Sequence, residues 1–134
     1  MNNVTWVDPP TTEEKLEKAR TARLTEINRA AEAEVQAIRR QYPQFEIDTW
    51  TEQKAEAEAY QADNSSPTPL LSGIAKERGI SLDDLVEKVM AKVELYRNAV
   101  APVTGKRQRL EDDILKAETE DDVKAIAWEG NSGE

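Results

Sequence analysis

Apolar residues recur along this chain at steps of three and four, and the runs between them are charged, so the pattern is helical almost throughout. Leu24, Ile27, Ala31, Val35, Ile38 and Tyr42 form a thin seam in a first helix over about residues 12–41. Thr11 stands three residues before Glu14, the spacing of a capping box. Thirty residues of helix extend roughly 45 Å, and such a length with so narrow a seam suits a coiled-coil strand or a projecting arm, the alternative being a long helix packed along its own domain. Pro43 disfavours a helical Tyr42 and ends the element. Thr49-x-x-Glu52 reads as a second capping box, opening a helix to about Ala62 that returns along the first and packs Trp50 against Ile38 or Tyr42.

Beyond a polar Ser/Pro stretch the grammar sharpens. Thr68 stands as a cap with Pro69 at the first helical position, and Leu70, Leu71, Ile74 and Ala75 point inward up to Arg78. Gly79 is placed for a left-handed stop, and Ile80 for the apolar closure that follows it. Ser81 caps the next helix, whose stripe Leu82, Leu85, Val86, Val89, Val93, Tyr96 and Val100 is the cleanest in the chain. Pro102 and Gly105 are expected to break or kink it, with a further helix over about 104–117 carrying Leu110 and Ile114. Thr119-x-x-Asp122 caps a last short helix with Val123, Ile126 and Trp128. The expected fold is all-α: an extended lead-in (1–10), a long helix and returning helix (11–63), a linker (64–69), a small helical bundle (70–128) and a frayed tail (129–134).

Composition narrows the chemistry. The apolar share, 38%, is low, much of it is Ala, and narrow seams of that kind are completed by a partner or a second copy. With no Cys and no His, disulfides, thiolate metal sites and the commonest general base are absent. The net charge is −9, spread evenly: residues 1–63 carry 8 basic and 13 acidic side chains, residues 64–134 carry 10 and 14. No basic half exists to neutralise phosphates, so nucleic acid is not an expected partner. No run of apolar residues is long enough to span a bilayer, and the start, Met1-Asn2-Asn3-Val4, lacks the features of a signal peptide.

Three apparent motifs dissolve on inspection. Asp83-Asp84, Asp112-Asp113 and Asp121-Asp122 invite a metal or glycosidase reading. Two of these pairs fall in helix first turns, where the dipole favours carboxylates, and adjacent helical residues diverge by about 100°. Gly105-Lys106-Arg107 lacks the upstream Gly of a phosphate loop and has Arg where Ser or Thr would bind magnesium. Ile74 to Val89 has the rhythm of a helix-turn-helix, yet Asp83, Asp84 and Glu87 would repel DNA phosphates. No catalytic residue, cofactor site or metal site is expected, and the chain reads as a non-enzyme. Lys106, Arg107 and Arg109 form the densest basic cluster, expected to pair with Glu111, Asp112 or other acids, or to meet an acidic partner.

Thr68-Pro69-Leu70-Leu71, Ile74-Ala75, Arg78-Gly79-Ile80, Leu85-Val86, Gly105-Lys106-Arg107-Gln108, Val123, Ile126 and Trp128 together resemble a recurring phage module, as does Trp50-x-x-Gln53-x-x-Glu56-Ala57 upstream of the linker. The pattern covers about residues 49–128 and is similar to small accessory proteins of tailed bacteriophages and phage-derived tail particles, tied to tail fibres and their assembly. The resemblance implies a tail-fibre protein as partner, and a role as assembly chaperone or fibre-associated structural subunit. It implies action in the host bacterial cytoplasm during assembly, or residence in the virion or tail-like particle. The contacts expected for the fibre, or for a second copy in a homo-oligomer, are Trp6, Leu24, Ile27, Val35 and Ile38, with Lys106 and Arg107 as the basic contribution. The alternative from the residues is an acidic helical adaptor or inhibitor occupying a basic site on a host protein.

Overall fold

The structure, a computed structural model, describes residues 8–129. It is all-α, with helices α1 (Thr12–Arg39), α2 (Gln44–Ile47), α3 (Trp50–Ala62), α4 (Pro69–Arg78), α5 (Leu82–Lys116) and α6 (Glu120–Lys124). None of the helices is long and apolar enough to cross a membrane. The chain forms two compact units, one from residues up to Glu34 together with those from Val103, the other from Val35 to Pro102. The boundary thus falls inside α1 and inside α5. The Ser/Pro stretch expected to separate two modules instead joins α3 to α4 within the second unit. The expected contributions of Trp6 and of most of the lead-in lie outside the described residues.

In the Val35–Pro102 unit, Ala57, Leu71, Ala75, Leu85, Val86 and Val89 form the core, with Tyr60, Ile74, Ile80, Leu82, Met90 and Val93 packed against it. The start of α4 is capped from another helix. Thr68 makes no capping bond to the α4 backbone; its hydroxyl pairs with that of Ser72 at 2.8 Å. The carboxylate of Glu56, on α3 and only 8% exposed, accepts the N–H of Leu70 at 3.1 Å and of Leu71 at 2.9 Å. A buried negative charge is tolerable there because two otherwise orphaned donors and the positive end of α4 converge on it. The other end of α4 follows expectation. Gly79 adopts φ 69°, its N–H bonds the Lys76 carbonyl, and the Ile80 N–H bonds the Ala75 carbonyl at 3.1 Å.

The other unit buries Ile27 and Ala31 of α1, Val103, Leu110 and Ile114 of α5, Val123 of α6, and Trp128. Its capping box closes as the spacing requires: Thr11 N–H donates to Glu14 Oε1 at 2.8 Å, and Glu14 N–H to Thr11 Oγ1 at 3.0 Å. Arg20 closes the far end of α5, donating to the carbonyls of Ile114 (3.3 Å) and Ala117 (2.7 Å), where a cation also suits the dipole. Arg23 does the same for the carbonyl of Lys124, the last residue of α6, at 3.1 Å.

Of the break or kink expected at Pro102 and Gly105, the break does not occur: α5 continues as one helix to Lys116. Proline costs roughly 3 kcal/mol and glycine about 1 in a helix interior. Val103, Leu110 and Ile114, which follow Pro102 in the helix, are each no more than 8% exposed. The second capping box does not form either. A short helix, α2, ends just before Thr49, which therefore sits in right-handed helical backbone (φ −95°, ψ −5°) instead of the extended geometry of a cap. Its hydroxyl turns back to the Glu46 carbonyl at 2.7 Å and accepts from Gln53 at 2.8 Å.

A candidate protein-binding pocket

The Val35–Pro102 unit carries a pocket of about 600 Å³. Its walls come from the end of α1 and the turn after it, from α2 and the first turns of α3, and from the middle of α5. Pro43 sets this geometry by stopping α1 and allowing only the single turn of α2 before α3 begins. Trp50 is central: its ring meets Tyr42 edge-on at 5.1 Å and 79°, and Tyr96 at 5.4 Å and 69°. Edge-to-face pairs of this kind hold three half-buried rings in fixed orientation. Ile38, Ile47, Val89 and Val93 complete the apolar lining, and Leu95 stands at it 69% exposed.

The charges around this hollow are unlike those of the chain as a whole. Arg39, Lys54, Lys92 and Arg97 line it, and no Asp or Glu does. Lys92 lies over the Tyr42 ring, 5.3 Å from its centroid, with Glu46 a distant partner at 3.9 Å. Arg97 pairs with Glu94 on the same helix at 3.3 Å. Arg39 and Lys54 make no ion pair among the described residues.

The residues expected to meet a partner are divided between the two units. Ile38 lines the pocket, and Val35 is half-buried in the same unit. Leu24 is half-buried in the other unit, where Ile27, at 1% exposure, is core and has no side-chain surface left to offer. That part of the α1 seam serves the chain's own interior. Lys106 lies over the Trp128 ring at 4.2 Å, while the Trp128 indole N–H donates to Glu34. Arg107 binds Glu111 at 2.9 Å and the Asn28 side chain at 2.8 Å. These two cations stitch their own unit together. The cations that do face a hollow lie 58 positions apart, from Arg39 to Arg97, on three different elements, which is why sequence inspection missed them.

Residues 91–128 match a family model described as the HI1402 helical domain, a stretch that takes in the later part of α5, all of α6 and Trp128. No curated protein and no solved structure matches the chain.

Two of the acidic pairs, Asp83-Asp84 and Asp121-Asp122, lie in the first turns of α5 and α6. The Asp84 N–H donates to Ser81 Oγ at 3.0 Å, the Asp122 N–H donates to Thr119 Oγ1 at 3.0 Å, and Asp83 Oδ1 accepts from the Tyr60 hydroxyl at 2.6 Å. That bond holds the Tyr60 phenol above its ordinary pKa, because losing the proton would set a phenolate against a carboxylate. Among the described residues no three acids are grouped to hold a metal ion, and no buried side-chain nitrogen or oxygen lacks a partner.

Proposed function

We propose that this protein is a non-enzymatic, protein-binding accessory factor of phage tail-fibre assembly, holding a segment of the fibre chain either transiently as a chaperone or as a subunit of the finished structure. The observation that carries the binding role is the aromatic pocket of α1, α3 and α5. It sets apolar rings and an exposed leucine in a hollow with cations around them. Pockets of this make-up seat apolar side chains of a partner while polar groups at the edge set orientation. The tail-fibre assignment rests on the residue pattern over 49–128. Several of its positions have definite tasks in the fold: Trp50 in the aromatic cluster, Gln53 on Thr49, Glu56 on the start of α4, and Ala57 in the core. Fibre chains expose apolar and strand-edge surface until they trimerise, and a soluble helical protein that covers it would suppress aggregation.

Co-expression of the neighbouring fibre gene with and without this protein tests the proposal. The expected outcome is a several-fold higher yield of soluble, trimeric fibre in its presence. Equal yield without it would refute the role.

A further inference from the structure

We infer that the pocket of the Val35–Pro102 unit selects an acidic segment of its protein partner, one that carries bulky apolar anchor residues and lies as a short helix along α5. This inference deepens the binding role proposed above and rests on it. The first support is charge. A chain of net charge −9, with 27 acidic residues against 18 basic, lines this hollow with four basic side chains and no acidic one. Two of the four, Lys92 and Arg97, are tied to a glutamate outside the lining, and those exposed pairs are weak enough to be exchanged for a partner's carboxylates. Arg39 and Lys54 have no ion pair of their own among the described residues, so a carboxylate arriving there displaces none.

The second support is shape. The lining residues of α5 include Val89, Lys92, Val93, Tyr96 and Ala99, which recur at helical spacing and form one stripe. From Val89 to Ala99 the stripe extends roughly 15 Å, the length of three helical turns. A partner helix laid there would place residues at i, i+4 and i+7 on the Trp50–Tyr96 rings and its polar flanks beside Lys54 and Arg97. A strongly basic partner is disfavoured by the same four cations, which supply repulsion as well as attraction.

Three 15-residue peptides test the inference, each with Leu and Phe at i, i+4 and i+7 and with Glu, Gln or Lys at every other position. Each is titrated into the full-length protein, and the Trp50 indole resonance, assigned by its loss in Trp50→Phe, is followed by NMR. The Glu peptide is expected to bind at least ten-fold tighter than the Gln peptide and the Lys peptide weakest. Raising NaCl from 50 to 300 mM should weaken the Glu peptide several-fold and leave the Gln peptide nearly unchanged. The Lys54→Glu/Arg97→Glu double variant, altered only at exposed positions, should abolish the preference for the Glu peptide over the Lys peptide with an unchanged helical circular-dichroism spectrum. Equal affinity for the Glu and Gln peptides would overturn the charge selection while leaving a protein-binding pocket in place. Failure of all three to shift Trp50 would overturn the inference outright, and a shift on adding 1-anilinonaphthalene-8-sulfonate in that case would mark the hollow as a small-molecule site instead. The fibre co-expression yield is a separate readout, so the two ideas can fail independently.

Discussion

Replacing Glu56 tests the most unusual interaction in the fold, a carboxylate from α3 that caps α4. Hydrogen bonds from a backbone N–H to a charged acceptor contribute about 1.5–3 kcal/mol each. Glu56 accepts two, from Leu70 and Leu71, and the Leu71 amide is buried. The Leu70 amide is only partly buried and can recover water, so Glu56→Ala should destabilise by about 3–4 kcal/mol and not by the full sum. Glu56→Gln keeps the volume but can accept only one of the two protons, while its own NH₂ confronts the other donor; about 2 kcal/mol is expected. For a chain of this size that corresponds to a fall in Tm of roughly 6–10 °C for the glutamine variant. Urea unfolding followed by circular dichroism gives the energies, and hydrogen exchange at the Leu71 amide locates them. Glu58→Ala, at an exposed position on the same helix, is the control and should lie within about 0.5 kcal/mol of wild type. A Glu56→Ala protein with unaltered stability and unaltered Leu71 protection would refute the cap.

Other substitutions separate the remaining elements. Gly79→Ala should cost about 1–2 kcal/mol in a urea melt, since its φ of 69° strains an L-residue although nothing lies within 4 Å of the added carbon. Gly105→Ala should instead stabilise by about 0.5–1 kcal/mol, because it sits inside continuous helix with the same free space; destabilisation would show that α5 is interrupted there. Arg20→Met should cost about 1–2 kcal/mol and raise exchange at the end of α5, with Arg20→Lys recovering less than half. The Glu14 carboxyl is held below its ordinary 4.5 by the Thr11 N–H and then by the Thr11 hydroxyl. A depressed acid stabilises the fold above its unfolded pKa and ceases to as pH falls through the folded value. Protection of the first-turn amides of α1 should therefore fall below about pH 4.5, and Glu14→Gln should remove that pH dependence. Tyr60 runs the other way: its raised pKa stabilises the fold below pH 10 and is lost above it, so absorbance titration at 295 nm should show a late-ionising tyrosine that Asp83→Asn returns toward 10.

Local chemistry wrote much of the fold plainly into the residues. The Thr11–Glu14 box, the Gly79 stop with Ile80 behind it, and the Ser81 and Thr119 caps all depend on neighbours within five positions, and all were legible. What was not legible depends on distance. Pro102 lies inside α5 and does not end it, an outcome that proline's local preference does not reveal. Thr49 has the spacing of a cap, yet the unanticipated single turn of α2 puts its backbone in the wrong conformation. Glu56 lies 14 residues from the Leu70 amide it caps, and no spacing rule connects them. The pocket was half visible: Ile38, Tyr42 and Trp50 were expected together and Tyr96 belonged to the cleanest stripe, but its cations lie on separate elements and gather only in the folded chain. The basic cluster that was visible, around Lys106 and Arg107, is engaged by Trp128, Glu111 and Asn28.

Photo-crosslinking in cells that co-express a tail-fibre protein tests the proposed binding role most directly. A benzophenone amino acid at Leu95, which lines the pocket and is 69% exposed, should form an adduct with the fibre chain. The same group at Leu115, 61% exposed in the other unit and not among the residues that line the pocket, should not. An adduct at Leu95 that disappears in the Lys54→Glu/Arg97→Glu background would place the fibre on this hollow. Absence of any Leu95 adduct, or equal crosslinking from Leu115, would contradict the account.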